Sequence, residues 1–146
     1  MERCMKAIEQ FHKLAIKRGL TPGAMLEASP RDFDLLLIAV RHQFSAARDY
    51  TEREVNEVLK AWLNSSGGML DVDHVELRRW LIDLQILARD AYGHSYAQAS
   101  VPQRLRPVDA ALTGIDFASE FAKANEHEAQ RRAARKAAWQ AAQASA

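Results

Sequence analysis

The 146-residue chain has one cysteine, Cys4, so it can form no internal disulfide and assemble no cysteine-based zinc site within one copy. No apolar run comes near the ~20 residues that cross a bilayer. The first residues, Met1-Glu-Arg-Cys-Met-Lys-Ala-Ile-Glu-Gln10, scatter charges where a secretory signal needs an unbroken apolar segment. These absences point away from the membrane as a partner and make the cytoplasm the expected compartment. Neither sign of charge is in excess. The 20 Lys and Arg face 19 Asp and Glu, and the net charge of +1 exerts no overall pull on nucleic acid.

The signatures of catalysis are missing too. His127-Glu128 lacks the second histidine of a helical zinc motif, and Gly67-Gly68 is not followed by the lysine of a phosphate-binding loop. Asp71-Val-Asp73-His74 offers fewer oxygen ligands than a hard cation wants and reads better as the cap of a helix. No serine lies in a strand-to-helix elbow, and Cys4 falls on an apolar helical stripe as a small hydrophobe. Neither an enzyme activity nor a cofactor or metal is expected.

What the chain does have is 48% hydrophobic residues, enough at this length for one real core with extensions. Its charge is unevenly divided. Residues 1–30 hold five Lys/Arg against three Asp/Glu, residues 31–98 hold eight against eleven, and residues 99–146 hold seven against five. The central stretch is therefore acidic, whereas a DNA-binding domain normally carries a basic face, so this balance counts against tight DNA binding.

Read in order, Cys4, Ile8, Phe11 and Ala15 fall at helical spacing, and Gly19 stops that helix after Lys17 and Arg18. Thr21-Pro22 and Ser29-Pro30 each pair a capping residue with a proline suited to a first helical turn. A short helix is expected to follow the first, and a core helix carrying Phe33, Leu36, Leu37, Val40 and Phe44 the second. Thr51 with Glu54 forms a capping box ahead of Val55, Val58, Leu59, Trp62 and Leu63. The residues Asn64-Ser-Ser-Gly-Gly68 predict a mobile loop. Asp73 and Glu76 cap a further helix lined by Leu77, Trp80, Leu81 and Leu84. Residues 86–90 and 95–98 flank the glycine-containing turn Ala91-Tyr-Gly-His94, a small β-hairpin. Pro102 and Pro107 predict an extended linker over 99–115. Asp116 then caps an alanine-rich helix carrying Phe117, Phe121, Ala124 and, further along the same face, Trp139.

The expected fold is mainly α with a small β-hairpin. An N-terminal helical segment (1–30) and a winged helix-turn-helix-like domain (31–98) precede the linker and a basic C-terminal helix (116–146). Tyr50-Thr-Glu-Arg-Glu-Val-Asn-Glu-Val-Leu59, Leu77-Arg-Arg-Trp-Leu-Ile-Asp83 and Leu87-Ala-Arg-Asp90 with Gly93 and Tyr96 together resemble a bacterial family, "domain of unknown function 2087". The resemblance covers residues 33–97, and Arg131-Arg-Ala-Ala-Arg-Lys-Ala-Ala-Trp139 is similar to the basic alanine-rich helix that often follows this domain. It implies a member of a mostly uncharacterised group that is sometimes joined to helix-turn-helix segments and commonly described as regulators of transcription. It brings no catalytic residues. The chain departs from the family at Gln85, where glycine is more typical, and in a longer loop from Ser65 to Leu70.

The leading expectation is thus a winged-helix regulator that binds double-stranded DNA as a dimer, with Arg78, Arg79, Arg89 and His94 as its candidate contacts. Arg79 comes first, because burying Leu77, Leu81 and Leu84 turns Val75, Arg79 and Ile82 outward. Structural ion pairs are the competing account, Arg79 with Asp83 and Arg78 with Glu52 or Glu54. Arg131, Arg132, Arg135 and Lys136 make a second basic patch, which reads equally as a solvated helix face. The alternative function is a protein-interaction or dimerisation module of the same shape, using Val75, Ile82 and Trp139.

Overall fold

The segment Pro30–Arg41 folds as a helix with Phe33 and every residue from 35 to 40 buried, so no side of that stretch faces water. A helix apolar all round has to be enclosed by other elements. In the computed structural model, which describes residues 2–145, the order is α1 (Glu2–Ala15), α2 (Pro22–Ala28), α3 (Pro30–Arg41), α4 (Glu52–Leu63), α5 (His74–Asp83), β1 (Leu87–Arg89), β2 (Tyr96–Gln98), α6 (Arg106–Leu112) and α7 (Phe117–Ala144). A 3-10 turn at Gln103–Leu105 leads into α6. α1, α2 and α6 pack on α3, and Phe33 meets Trp80 of α5 edge-on with ring centres 5.4 Å apart. The chain is therefore mainly helical with one small antiparallel sheet. No helix among the described residues is long and apolar enough to cross a membrane.

The capping signals hold where a helix starts from a free approach. Thr51 accepts from the Glu54 amide at 3.1 Å while the Glu54 carboxylate takes the Thr51 amide at 2.9 Å, closing a reciprocal box. That backbone N–H, followed by the Arg48 guanidinium, holds the Glu54 carboxyl below its ordinary range. Asp73 caps α5 through the Glu76 amide, and Asp116 caps α7 through that of Ser119. Thr21 and Ser29 make no such side-chain bond. Ser29 is the whole connector between α2 and α3, ending one and starting the other, and it is its backbone carbonyl that takes the Asp32 and Phe33 amides.

Three expectations are corrected. The buried side of α1 is Ala7, Phe11, Leu14 and Ala15, with Cys4 and Ile8 only partly covered, because α3, α6 and α7 together set which arc of α1 is enclosed. The predicted extended linker is largely helical. Pro107 falls in the first turn of α6, where a missing amide costs nothing, and Leu105 and Leu112 supply buried anchors. The loop after α4 is packed rather than loose, with Ser66, Met69 and Leu70 buried and Leu20 bridged to Leu70.

Two polar fasteners lock the C-terminal end of α3. Arg41 reaches Asp109 of α6 at 3.1 Å and the Ala99 carbonyl at 3.0 Å, and His42 Nε2 lies 2.9 Å from the same Asp109 oxygen. Gln98 of β2 donates to the carbonyls of Arg41 and Phe44. The hairpin is thereby held to the end of α3, and an isolated antiparallel bridge between Tyr50 and Tyr96 adds a third backbone segment to its edge.

Helix α5 ends in a Schellman motif. Ile86 N donates to Leu81 O at 2.8 Å, Gln85 N donates to Ile82 O at 3.1 Å, and the side chains of Leu81 and Ile86 are both buried. The left-handed position of this motif is filled by Gln85, with φ of 61°, the residue at which the sequence departs from the glycine typical of the family it resembles. A side chain there carries a steric cost that glycine avoids. Gln85→Gly is expected to stabilise the protein by about 1 kcal/mol, read as a raised urea midpoint with an unchanged slope. Gly67 sits under the Trp62 indole, and a methyl group added there would overlap the ring. Gly67→Ala should cost about 2 kcal/mol in the same measurement.

Candidate nucleic-acid interface

The Schellman turn brings β1 back across the end of α5 within three residues, and a cleft of about 260 Å³ opens between helix and hairpin. Its walls are Arg78, Arg79, Ile82 and Asp83 from α5, with Arg89 of β1 and Tyr96 of β2. Three of the four arginine and histidine candidates read from the sequence therefore meet in one place. His94 does not line the cleft. It stands in the hairpin turn with its ring stacked on Tyr92 at 6.0 Å, and its amide is held by the Asp90 carboxylate at 2.7 Å. That amide is the main reason the Asp90 carboxyl sits below its usual range.

The adjacent arginines of α5 do different jobs. Arg78 turns toward α4, where it donates to Asn56 and lies 3.4 Å from Glu52, and its side chain is only 17% exposed. Glu52 also accepts from the buried Tyr96 hydroxyl at 3.2 Å, so one carboxylate links α4, α5 and β2. Arg79 points to the exposed side of α5. The competing ion pair with Asp83 is not formed, and among the described residues neither Arg79 nor Arg89 has a carboxylate within ion-pair distance. Two guanidinium groups thus face one cleft with their donors uncommitted, an arrangement suited to a bidentate anion such as a phosphate.

Sequence reading missed Asn56 as part of this site. Asn56 follows Glu52 by one helical turn, so the two share the face of α4 that meets α5, and that spacing was the available signal. Ile82 is half-buried and belongs to the cleft wall, Val75 is half-buried near the start of α5, and Trp139 lies on the outer part of α7 with 64% of its surface exposed. Asp73 of the weighed Asp71-Asp73-His74 group spends its carboxylate on the α5 cap, and no cluster of metal-binding side chains forms among the described residues.

The profile of the family described as "Uncharacterized protein conserved in bacteria (DUF2087)" matches residues 25–98. No curated protein and no solved structure matches the chain. The matched span runs from within α2 to the end of β2 and contains every residue of the cleft, while α6 and α7 lie outside it.

The division of labour between the arginines is measurable. Arg78→Gln should lower stability by about 1–2 kcal/mol, because it leaves Asn56 and Glu52 without their shared cation. Arg79→Gln and Arg89→Gln should stay within about 0.5 kcal/mol of the native chain by urea unfolding.

Proposed function

The chain belongs to the family of uncharacterised proteins conserved in bacteria labelled domain of unknown function 2087, and on that footing we propose that it is a winged-helix DNA-binding protein acting in transcriptional regulation in a bacterial cytoplasm. The observation that carries this reading is the convergence of Arg79 and Arg89, from a helix and from the hairpin beside it, on one cleft without a carboxylate partner. The order of elements supports it. Helix α3, the bridging Tyr50, α4, α5 and the β1–β2 hairpin follow one another as helix, short extended segment, two helices and wing. In this reading α5 is the helix that approaches a groove. Arg79 on its open side addresses a base edge or phosphate, and Arg89 on the wing takes the neighbouring backbone. Arg78 serves as the brace between α4 and α5.

The acidic balance of the central module is compatible with this role because much of it is engaged in holding the fold. Asp73 and Glu54 cap helices, Asp90 closes the hairpin turn, and Asp34 takes Arg104 from outside the module at 2.8 Å. These contacts fix the carboxylates away from the Arg79 and Arg89 guanidiniums, and Arg104 offsets the charge of Asp34 with a cation from outside the module.

The test is fluorescence anisotropy with a mixed-sequence DNA duplex at about 50 and 200 mM salt. The native chain should bind and weaken steeply with salt, and the double variant Arg79→Gln with Arg89→Gln should lose at least about tenfold in affinity, with a salt slope shallower by roughly 2. No binding at the lower salt, or equal binding by the double variant, would refute the reading.

A further inference from the structure

The side of α7 that packs into the fold does not end where the packing ends. Phe117, Phe121, Ala124 and Glu128 follow one another along that side at helical spacing, with Phe117 and Ala124 buried and Phe121 and Glu128 half-buried. The same line continues through Arg131, Arg132, Arg135, Lys136 and Trp139, all within a ~140° arc of the helix. Every residue from 129 to 145 is exposed, so roughly 24 Å of helix after Glu128 extends beyond the packed core at about 1.5 Å per residue. No acidic residue follows Glu128. At the root of this arm a cleft of about 250 Å³ is lined by Arg131 and His127 together with His12, Lys13, Ile16, Glu9 and Ala124. The basic strip is thus continuous with Lys13 on α1.

We propose that the outer half of α7 is a second nucleic-acid contact, an arm that lays Arg131, Arg132, Arg135 and Lys136 along the phosphate backbone of the duplex whose binding to the α5 cleft was proposed above. The identity of the polyanion rests on that reading; the arm itself rests on its own geometry. Charge complementarity selects a polyanion, and the placement of Trp139 argues against the other occupants. The one large apolar side chain of the arm lies among the arginines, and the opposite face is Gln130, Ala133, Ala137, Gln140 and Ala141. A face of alanine and glutamine offers too little apolar area to anchor a second copy or to enter a bilayer. Glu128 restrains the arm. Its carboxylate meets Arg131 at 2.8 Å, Arg135 at 3.3 Å and Arg132 at 3.4 Å, and these guanidiniums, Arg131 foremost, draw its carboxyl below the ordinary range. Phosphates therefore compete with Glu128 for the same three side chains.

The test uses the full chain with the same mixed-sequence duplex. Changing Arg131, Arg132, Arg135 and Lys136 together to Gln, which keeps helix propensity, should make the salt slope shallower by roughly 3–4 and weaken binding at least about tenfold at ~100 mM salt. Glu128→Gln should tighten binding severalfold. An unchanged slope in the fourfold variant while the Arg79 and Arg89 pair still weakens binding would overturn the arm and leave the cleft. The reverse pattern would support the arm and overturn the cleft. A native chain that binds no duplex overturns both. A Glu128→Gln protein that binds no tighter than the native chain overturns the arm. So does preference for phosphatidylserine vesicles over duplex, or a native dimer in light scattering that the fourfold variant loses.

Discussion

The constraint on which the structure depends is the burial of α3 on every side. A helix carrying Leu35, Leu36, Leu37, Ile38, Ala39 and Val40 in succession has no face to offer water, so the other elements are arranged by where they cover it. α1, α2 and α6 enclose it directly, Trp80 ties α5 to Phe33, and Arg41 and Gln98 fasten α6 and the hairpin to its end. The arginine cleft inherits its geometry from this enclosure. α5 is tied to the buried helix through Trp80 and the hairpin to its end through Gln98 of β2, and α5 and β1 are joined by a short hydrogen-bonded turn. A site made this way starts with its cations already placed, which lowers the ordering cost of binding.

Local signals in the sequence were enough wherever a single segment decides the outcome. The capping pair Thr51 and Glu54, the caps Asp73 and Asp116 and the hairpin around Gly93 all appear as their residues predict, whereas α1 ends at Ala15, three residues short of the left-handed Gly19 expected to stop it. The failures lie where a distant partner decides. Pro102 and Pro107 read as extended until α3 and α1 offer a surface on which Leu105 and Leu112 can be buried. Asn64-Ser-Ser-Gly-Gly68 reads as a free loop until the Trp62 ring folds over Gly67. The phase of α1 could not be read from its own stripe because α3, α6 and α7 together decide which arc of it is covered.

The candidate site divides in the same way. That Arg79 would face outward follows from the helical period of Leu77, Leu81 and Leu84 alone. That Arg78, its neighbour, would be committed inward depends on Asn56 and Glu52 of another helix, and the sequence could offer only a choice of partners. His94 was grouped with the arginines by proximity along the chain, but it does not line the cleft, and the turn holds its amide on Asp90. The match to the family over residues 25–98 covers the cleft, whereas the arm on α7 is a property of this chain outside that span.

The Schellman turn at Gln85 has a consequence for how the molecule can tolerate change. Strand side chains alternate faces with a period of two, and the only spacer between α5 and β1 is the three residues Leu84, Gln85 and Ile86. A single residue gained or lost there would turn Arg89 to the opposite face of the hairpin and bring Ala88 or Asp90 to the cleft in its place. The hairpin can lengthen at its tip, beyond Asp90, without disturbing that parity. The turn thus acts as a parity lock on the residues that face the cleft.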